Sequence, residues 1–240
     1  MNSFGVSILI PAVDELEIQD VIAAIDQGLD SDSIKETLIV LPKHATQRYR
    51  SFLQRLSEEF VHMNFRFITQ KGKGIGDALY TGFFTASGTH VLMIASDLEN
   101  DPADAIRMIS ISKKHPDCII SASRRLAENG FCNYPRIKLV FNEIFFHFIR
   151  VLFHSKQTDP TYLFQCAPRS LQKQIQFSED HSCFVLEFAF LPEMQGIRYI
   201  EVPSVVGNRK SGKTHMHFND YYLLMKGALK LHKRASAQKD

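Results

Sequence analysis

Five short apolar runs constrain this chain more than any other feature: residues 6–13 (VSILIPAV), 37–42 (TLIVLP), 64–69 (NFRFIT), 90–95 (HVLMIA) and 118–123 (CIISAS). Each has the length of a strand and too few polar positions for a sheet face open to water. Between them lie stretches of helical spacing, Leu16–Leu29, Gln47–Phe60 and Asp77–Ala86. Repeated strand-then-helix units predict an α/β fold, with a mostly parallel central sheet and helices on both faces. A chain of 240 residues suits one such domain. Its expected extent is 1–215, followed by a basic C-terminal helix and tail over 216–240.

The run from Lys71 to Pro102, KGKGIGDALYTGFFTASGTHVLMIASDLENDP, carries most of the chemistry. Gly72, Gly74 and Gly76 permit close approach of backbone to a ligand, and Lys71 and Lys73 add charge for a phosphate. Asp97, Glu99 and Asp101 gather where the fourth strand ends, and open α/β sheets place ligands at that edge. Asp101 followed by Pro102 reads as a helix N-cap with proline at the first helical position. Asp77, just inside the preceding helix, is explained by the helix dipole. A phosphate-attracting loop leading to an acidic strand end suggests a nucleotide diphosphate held through a divalent cation.

On these residues the chain resembles the inverting family 2 glycosyltransferases of the GT-A (Rossmann-like) fold. Within that family it is most similar to the dolichol- and polyprenyl-phosphate sugar synthases. The resemblance also takes in SILIPAVDELE, SASRR, DPTYLFQ, FVLEF and EVPSVVGNRKSGKTH. It implies transfer of a sugar from a nucleotide diphosphate sugar, assisted by Mg²⁺ or Mn²⁺. The family's acidic loop reads Asp-Ala-Asp-Leu-Gln, whereas this chain has Ala95-Ser96-Asp97-Leu98-Glu99. The first carboxylate is lost, and Glu99 restores one charge where the family has Gln. The implied metal ligands are therefore Asp97 and Glu99, with Ser96 beside the donor.

The resemblance carries further residues. Pro11 and Glu15 fall in the first nucleotide-binding motif, with Asp14 in place of its usual Asn. The acidic pair expected after the second strand is replaced by Lys43-His44. Arg124 matches the arginine that faces the acceptor or donor phosphates, as a guanidinium fork suits, and Arg136 is implied as a second. Asp159 and Glu187 fill two later acidic positions. The glycine and arginine usual after the first are Leu163–Gln165 here. Buried among apolar neighbours, Glu187 needs a partner such as an arginine or a ligand hydroxyl. Arg209, Gly212, Lys213 and Thr214 match a loop that closes over the donor.

The acceptor is left open between two chemistries. A lipid phosphate is already an anion and needs no strong base. A hydroxyl, as on a glycan, requires a carboxylate such as Asp159 or Glu187 to take its proton. A non-catalytic nucleotide-sugar binder or partner-binding relative, and a nucleotidyltransferase with a related sheet, are the competing classes.

Charge excludes less than it suggests. With 28 basic and 26 acidic residues, the net +2 gives no global field for nucleic acid. Four dispersed cysteines without a CxxC pair fit a reducing cytosol, and no signal peptide is expected. The segment Leu139–Phe153 is shorter than the roughly 20 apolar residues a spanning helix needs. It is either a core helix or, with the basic C-terminal helix, a peripheral contact on the inner face of a membrane.

Overall fold

The computed structural model describes residues 4–131, 136–178, 181–207 and 218–237. For Ser31, 136–138, Ser182, 218–223 and Ala237 it describes the backbone alone. The chain runs β1 (Val6–Pro11), α1 (Ile18–Gly28), β2 (Ile34–Leu41), α2 (Gln47–Glu59), β3 (Phe65–Thr69), α3 (Gly74–Thr85), β4 (His90–Met93), α4 (Pro102–Lys114) and β5 (Ile119–Ser123). It continues through α5 (Arg136–Phe153), β6 (Gln165–Pro168), α6 (Leu171–Gln174), α7 (Phe184–Met194), β7 (Tyr199–Pro203) and α8 (Phe218–Ala237). The strands form a seven-stranded sheet in the order β3-β2-β1-β4-β6-β5-β7. All pairings are parallel except those of β6, which runs antiparallel to β4 and β5.

Strand alternation divides the core in two. Ile8, Ile10, Ile39, Leu41, Leu92 and Ile120 pack with residues of α1, α2 and α4 on one face. Leu9, Leu38, Val40, Val91, Met93 and Ile119 pack with α3, α5, α7 and α8 on the other. Successive side chains of one strand thus serve opposite layers, which is why these strands read as continuous apolar runs. Each fully buried aliphatic chain contributes about 1.5–3 kcal/mol.

Local chemistry sets the helix ends. Asp101 caps α4 by accepting the Ala103 N–H at 2.9 Å, with Pro102 in the first turn. Thr46 accepts the Tyr49 N–H at 3.2 Å to start α2. The helix expected from Asp77 begins at Gly74, so Gly74 and Gly76 lie in its first turn. Asp77 does more than meet a dipole. It is buried, accepts the Gly72 N–H at 2.8 Å and pairs with His181 Nδ1 at 2.7 Å.

The C-terminal helix is packed into the body. Ala228, Leu231 and Ala235 of α8 are buried in the second core with Phe145, Ile149 and Phe153 of α5. Among the described residues no helix is long and apolar enough to cross a membrane. Cys118 and Cys166 are buried free thiols, and burial pushes the Cys166 thiol up to about 12.

Candidate active site

Four loops meet at the carboxyl edge of the sheet, following β1, β4 and β5 and entering β6. After β1, Pro11 pairs in register with Val40, and the chain turns through Glu15. The Glu15 carboxylate folds back onto the loop, accepting the N–H groups of Val13 (2.8 Å) and Asp14 (3.2 Å). Its carbonyl accepts the Tyr49 hydroxyl at 2.9 Å. Burial, then the Glu15 charge, raise the Tyr49 pKa, so that hydroxyl stays a donor.

After β4 the chain makes the acidic turn. Asp97 Oδ1 accepts the Glu99 N–H at 3.1 Å, and Leu98 between them has φ 61°. A leucine in the left-handed region is held there by its surroundings. Ser96 and Asn100 are buried on either side. Asn100 Oδ1 accepts the Ala95 N–H at 2.7 Å, and its amide donates to the Tyr162 hydroxyl at 2.8 Å. Gly207 closes the turn from above: its N–H donates to the Glu99 carbonyl at 2.9 Å. A Cβ there would stand 2.0 Å from the Leu98 carbonyl oxygen, so only glycine fits.

After β5, Arg124 and Asp159 hold each other. Nε and Nη2 of Arg124 donate to the two carboxylate oxygens at 2.6 and 2.8 Å, and the Arg124 N–H adds a third bond at 3.1 Å. Arg124 is 9% exposed and Asp159 2%. The guanidinium also lies 4.5 Å from the Tyr162 ring centre and 4.9 Å from that of Phe131. Tyr162 therefore links the acidic turn to the arginine, and burial raises its pKa. Glu201 on β7 supports the same loop, accepting the Thr158 N–H at 2.9 Å and its hydroxyl at 2.9 Å.

Several expected site residues are placed differently from the sequence reading. Arg124 and Asp159, expected to act on the acceptor as anchor and base, are bonded to one another, because a carboxylate so desolvated needs a paired charge. Glu187, 1% exposed, receives Arg234 of α8 at 2.7 Å and the Ser178 N–H at 2.8 Å, which meets the expectation of an arginine partner. Among the described residues these contacts tie it to α8 and not to the acidic turn. Lys71 and Lys73 are exposed at the carboxyl end of β3. The Gly72 N–H is committed to Asp77, and Gln70 donates to the Gly72 and Gly74 carbonyls, both at 3.3 Å. The glycine loop therefore does not present the Gly72 N–H to a phosphate. In the sheet, β2 and β1 lie between β3 and β4, so this loop and the acidic turn are about 14 Å apart at strand spacing. Arg209 and Lys213, and the side chain of Arg136, lie outside the described residues.

Asn100 and Tyr162 are the site residues that sequence reasoning missed. Their only sequence signal is position, Asn100 closing the acidic loop and Tyr162 three residues after Asp159.

Comparison with known proteins agrees with this architecture. Residues 7–169 match the family described as glycosyl transferase family 2. No curated protein sequence matches the chain. Among solved structures, the chain is similar to glucosyl-3-phosphoglycerate synthase from Mycobacterium tuberculosis. The complex of that enzyme with Mn²⁺, UDP and phosphoglyceric acid aligns at a TM-score of 0.69 and 15% identity, covering 97% of this chain and 79% of that one. Its complex with Mn²⁺, UDP-glucose and phosphoglyceric acid aligns at 0.65 and 14%, covering 96% and 80%. At that identity the likeness speaks for the GT-A-like fold. With the family match spanning most of its length, the chain belongs to glycosyl transferase family 2 and is a glycosyltransferase.

Proposed function

We propose that the protein transfers a sugar from a nucleotide diphosphate sugar to a phosphate-bearing acceptor, with Mg²⁺ or Mn²⁺ bound at Asp97 and Glu99. The acidic turn at the end of β4 fits such an ion. Among the described residues no group of three His, Cys, Asp or Glu could hold a metal. An ion bridging a diphosphate needs only one or two protein carboxylates, since the substrate supplies the remaining oxygens. Bound there, the ion would offset the negative charge growing on the leaving diphosphate. Asp97 and Glu99 stay in register because the Asp97–Glu99 bond and the Gly207 contact hold the turn. Glu15 and the charges of Lys71 and Lys73 lie on the nucleotide side of the same edge.

One observation carries the choice of acceptor. Both candidate bases are engaged, Asp159 by Arg124 and Glu187 by Arg234 and the Ser178 N–H. An acceptor that must lose a proton would find no uncommitted carboxylate in either. A phosphate oxygen needs none: it attacks the anomeric carbon, and the bond to the diphosphate oxygen breaks with its electron pair. The finer reading is a polyprenyl phosphate. It is supported by Val140, Ile144 and Val151, a row on α5 more than half exposed, beside α8 with its Lys226, Lys230 and Lys233.

The test is a thermal-shift screen of nucleotide diphosphate sugars with and without Mn²⁺, followed by transfer assays on polyprenyl phosphate. Stabilisation by one nucleotide class only when Mn²⁺ is present is expected. Stabilisation by none of them would overturn the reading.

A further inference from the structure

We propose that Arg125, not Arg124, binds the anionic group of the acceptor, and that Glu143 holds its guanidinium until the acceptor exchanges with it. This rests on the reading of the chain as a transferase with a phosphate-bearing acceptor. A cavity of about 480 Å³ opens beside the end of β5, lined by Arg124, Arg125, Asn129, Gly130, Phe131 and Glu143, among others. Arg124 cannot serve it freely, since its fork is committed to Asp159 and its faces to Tyr162 and Phe131. Arg125, the next residue, is held less completely. Its Nη1 pairs with Glu143 at 2.7 Å, and its guanidinium lies 4.0 Å from the Phe146 ring centre and 5.7 Å from that of Phe131. Its Nε is buried with no hydrogen-bond partner among the described residues.

That combination describes an anion site with a stand-in. The Glu143 side chain is 53% exposed, and an ion pair with one partner half in water is weak. Rings beside Arg125 orient its plane without using its N–H groups. A phosphomonoester offers more charge and more acceptor oxygens than a carboxylate, so it competes well for a guanidinium that already has an unsatisfied donor. Asn129 adds an amide to the lining.

The cavity also lies where an acceptor must be. The Val206 N–H donates to the Gly130 carbonyl at 3.3 Å, and the next residue, Gly207, donates to the Glu99 carbonyl. Two consecutive residues thus tie the cavity wall to the acidic turn. The wall itself has no slack, for a Cβ on Gly130 would stand 1.8 Å from the Arg124 carbonyl oxygen. An anion on Arg125 is held beside the donor site.

The experiment is calorimetric titration of wild type, Arg125→Lys and Glu143→Gln with two phosphomonoester probes: glycerol 3-phosphate, and polyprenyl monophosphate in detergent micelles. Wild type binds at least one probe. Arg125→Lys weakens that binding about tenfold or more, since bonds to charged groups are the strong ones. Glu143→Gln strengthens it by about fivefold, as the resident counter-ion is removed. Binding to glycerol 3-phosphate alone assigns a soluble acceptor, and binding to the micelles alone a lipid one. Failure of wild type with both probes, unchanged binding in Arg125→Lys, or no gain in Glu143→Gln would each overturn the proposal. If Arg125→Lys lowers the unfolding midpoint, Glu143→Gln decides alone. Mn²⁺-dependent UDP and GDP binding, measured on the same samples, reports separately on the donor reading.

Discussion

Arg124 and Asp159, 35 residues apart, meet through paired side-chain bonds of 2.6 and 2.8 Å. The pair joins the end of β5 to the loop entering β6, and Tyr162 beneath the guanidinium extends it to Asn100 and the acidic turn. Replacing Asp159 by Asn leaves a buried guanidinium without its counter-charge. The expected cost is about 3–5 kcal/mol of unfolding free energy, read by urea denaturation. The double variant Arg124→Met/Asp159→Leu should recover most of that loss while remaining inactive. Equal instability of the double variant would show that the pair's charges are not what the fold requires.

Asp97→Ala should abolish the Mn²⁺ enhancement of nucleotide-sugar binding and leave the circular dichroism spectrum unchanged. Glu99→Gln, which installs the family's usual residue, should weaken Mn²⁺ affinity instead of improving it, because Ala95 leaves Glu99 as the second charge. Metal titration by calorimetry separates the two outcomes.

Burial depresses the pKa of His90 below its ordinary 6.5, against the opposing bond of Nε2 with the Pro116 carbonyl at 3.0 Å. The unfolded chain therefore takes up this proton before the folded one does. Stability is full above pH 6.5 and falls as the solution is acidified toward the folded pKa, with a slope approaching about 1.4 kcal/mol per pH unit. His90→Gln should flatten that part of the stability–pH curve. A curve of unchanged slope would exclude His90 as its source.

Arg234→Ala removes the partner of a carboxylate that is 1% exposed. Among the described residues Glu187 then keeps the Ser178 N–H alone, so the expected loss is about 1–3 kcal/mol. Truncation after residue 215 should cost more, since it also strips Ala228, Leu231 and Ala235 from the core. A truncated chain that melts like the full one would restore α8 to the status of an appendage.

Membrane contact is checked by flotation with anionic liposomes. Co-flotation at low salt and release at high salt is expected, because each lysine near an anionic surface contributes only about 1 kcal/mol. Replacing Ile144 by Asp in the exposed row of α5 should abolish it. Absence of flotation at low salt would favour a soluble acceptor.

Much of the frame was legible because its signals are local. The five apolar runs are strands, and Asp101-Pro102 caps a helix through its own neighbours. The strands β6 and β7 were not, since QCAP is only four residues long and YIEVP carries a glutamate that turns to Thr158. The site was read as single residues awaiting ligands, and there the sequence was least informative. Arg124 finds Asp159, Glu187 finds Arg234 and Asn100 finds Tyr162 only through tertiary folding, and no spacing rule marks partners so far apart. Resemblance located the acidic turn, but not the contacts that brace it.

The reversed strand β6 acts as a spacer. Lying between β4 and β5, it separates the acidic turn from the arginines by two strand intervals, about 10 Å. Because it runs backwards, it delivers an incoming loop to the carboxyl edge, with Gln165 opposite Met93 and Ser121. That loop sends Asp159 to one bank and Tyr162 to both.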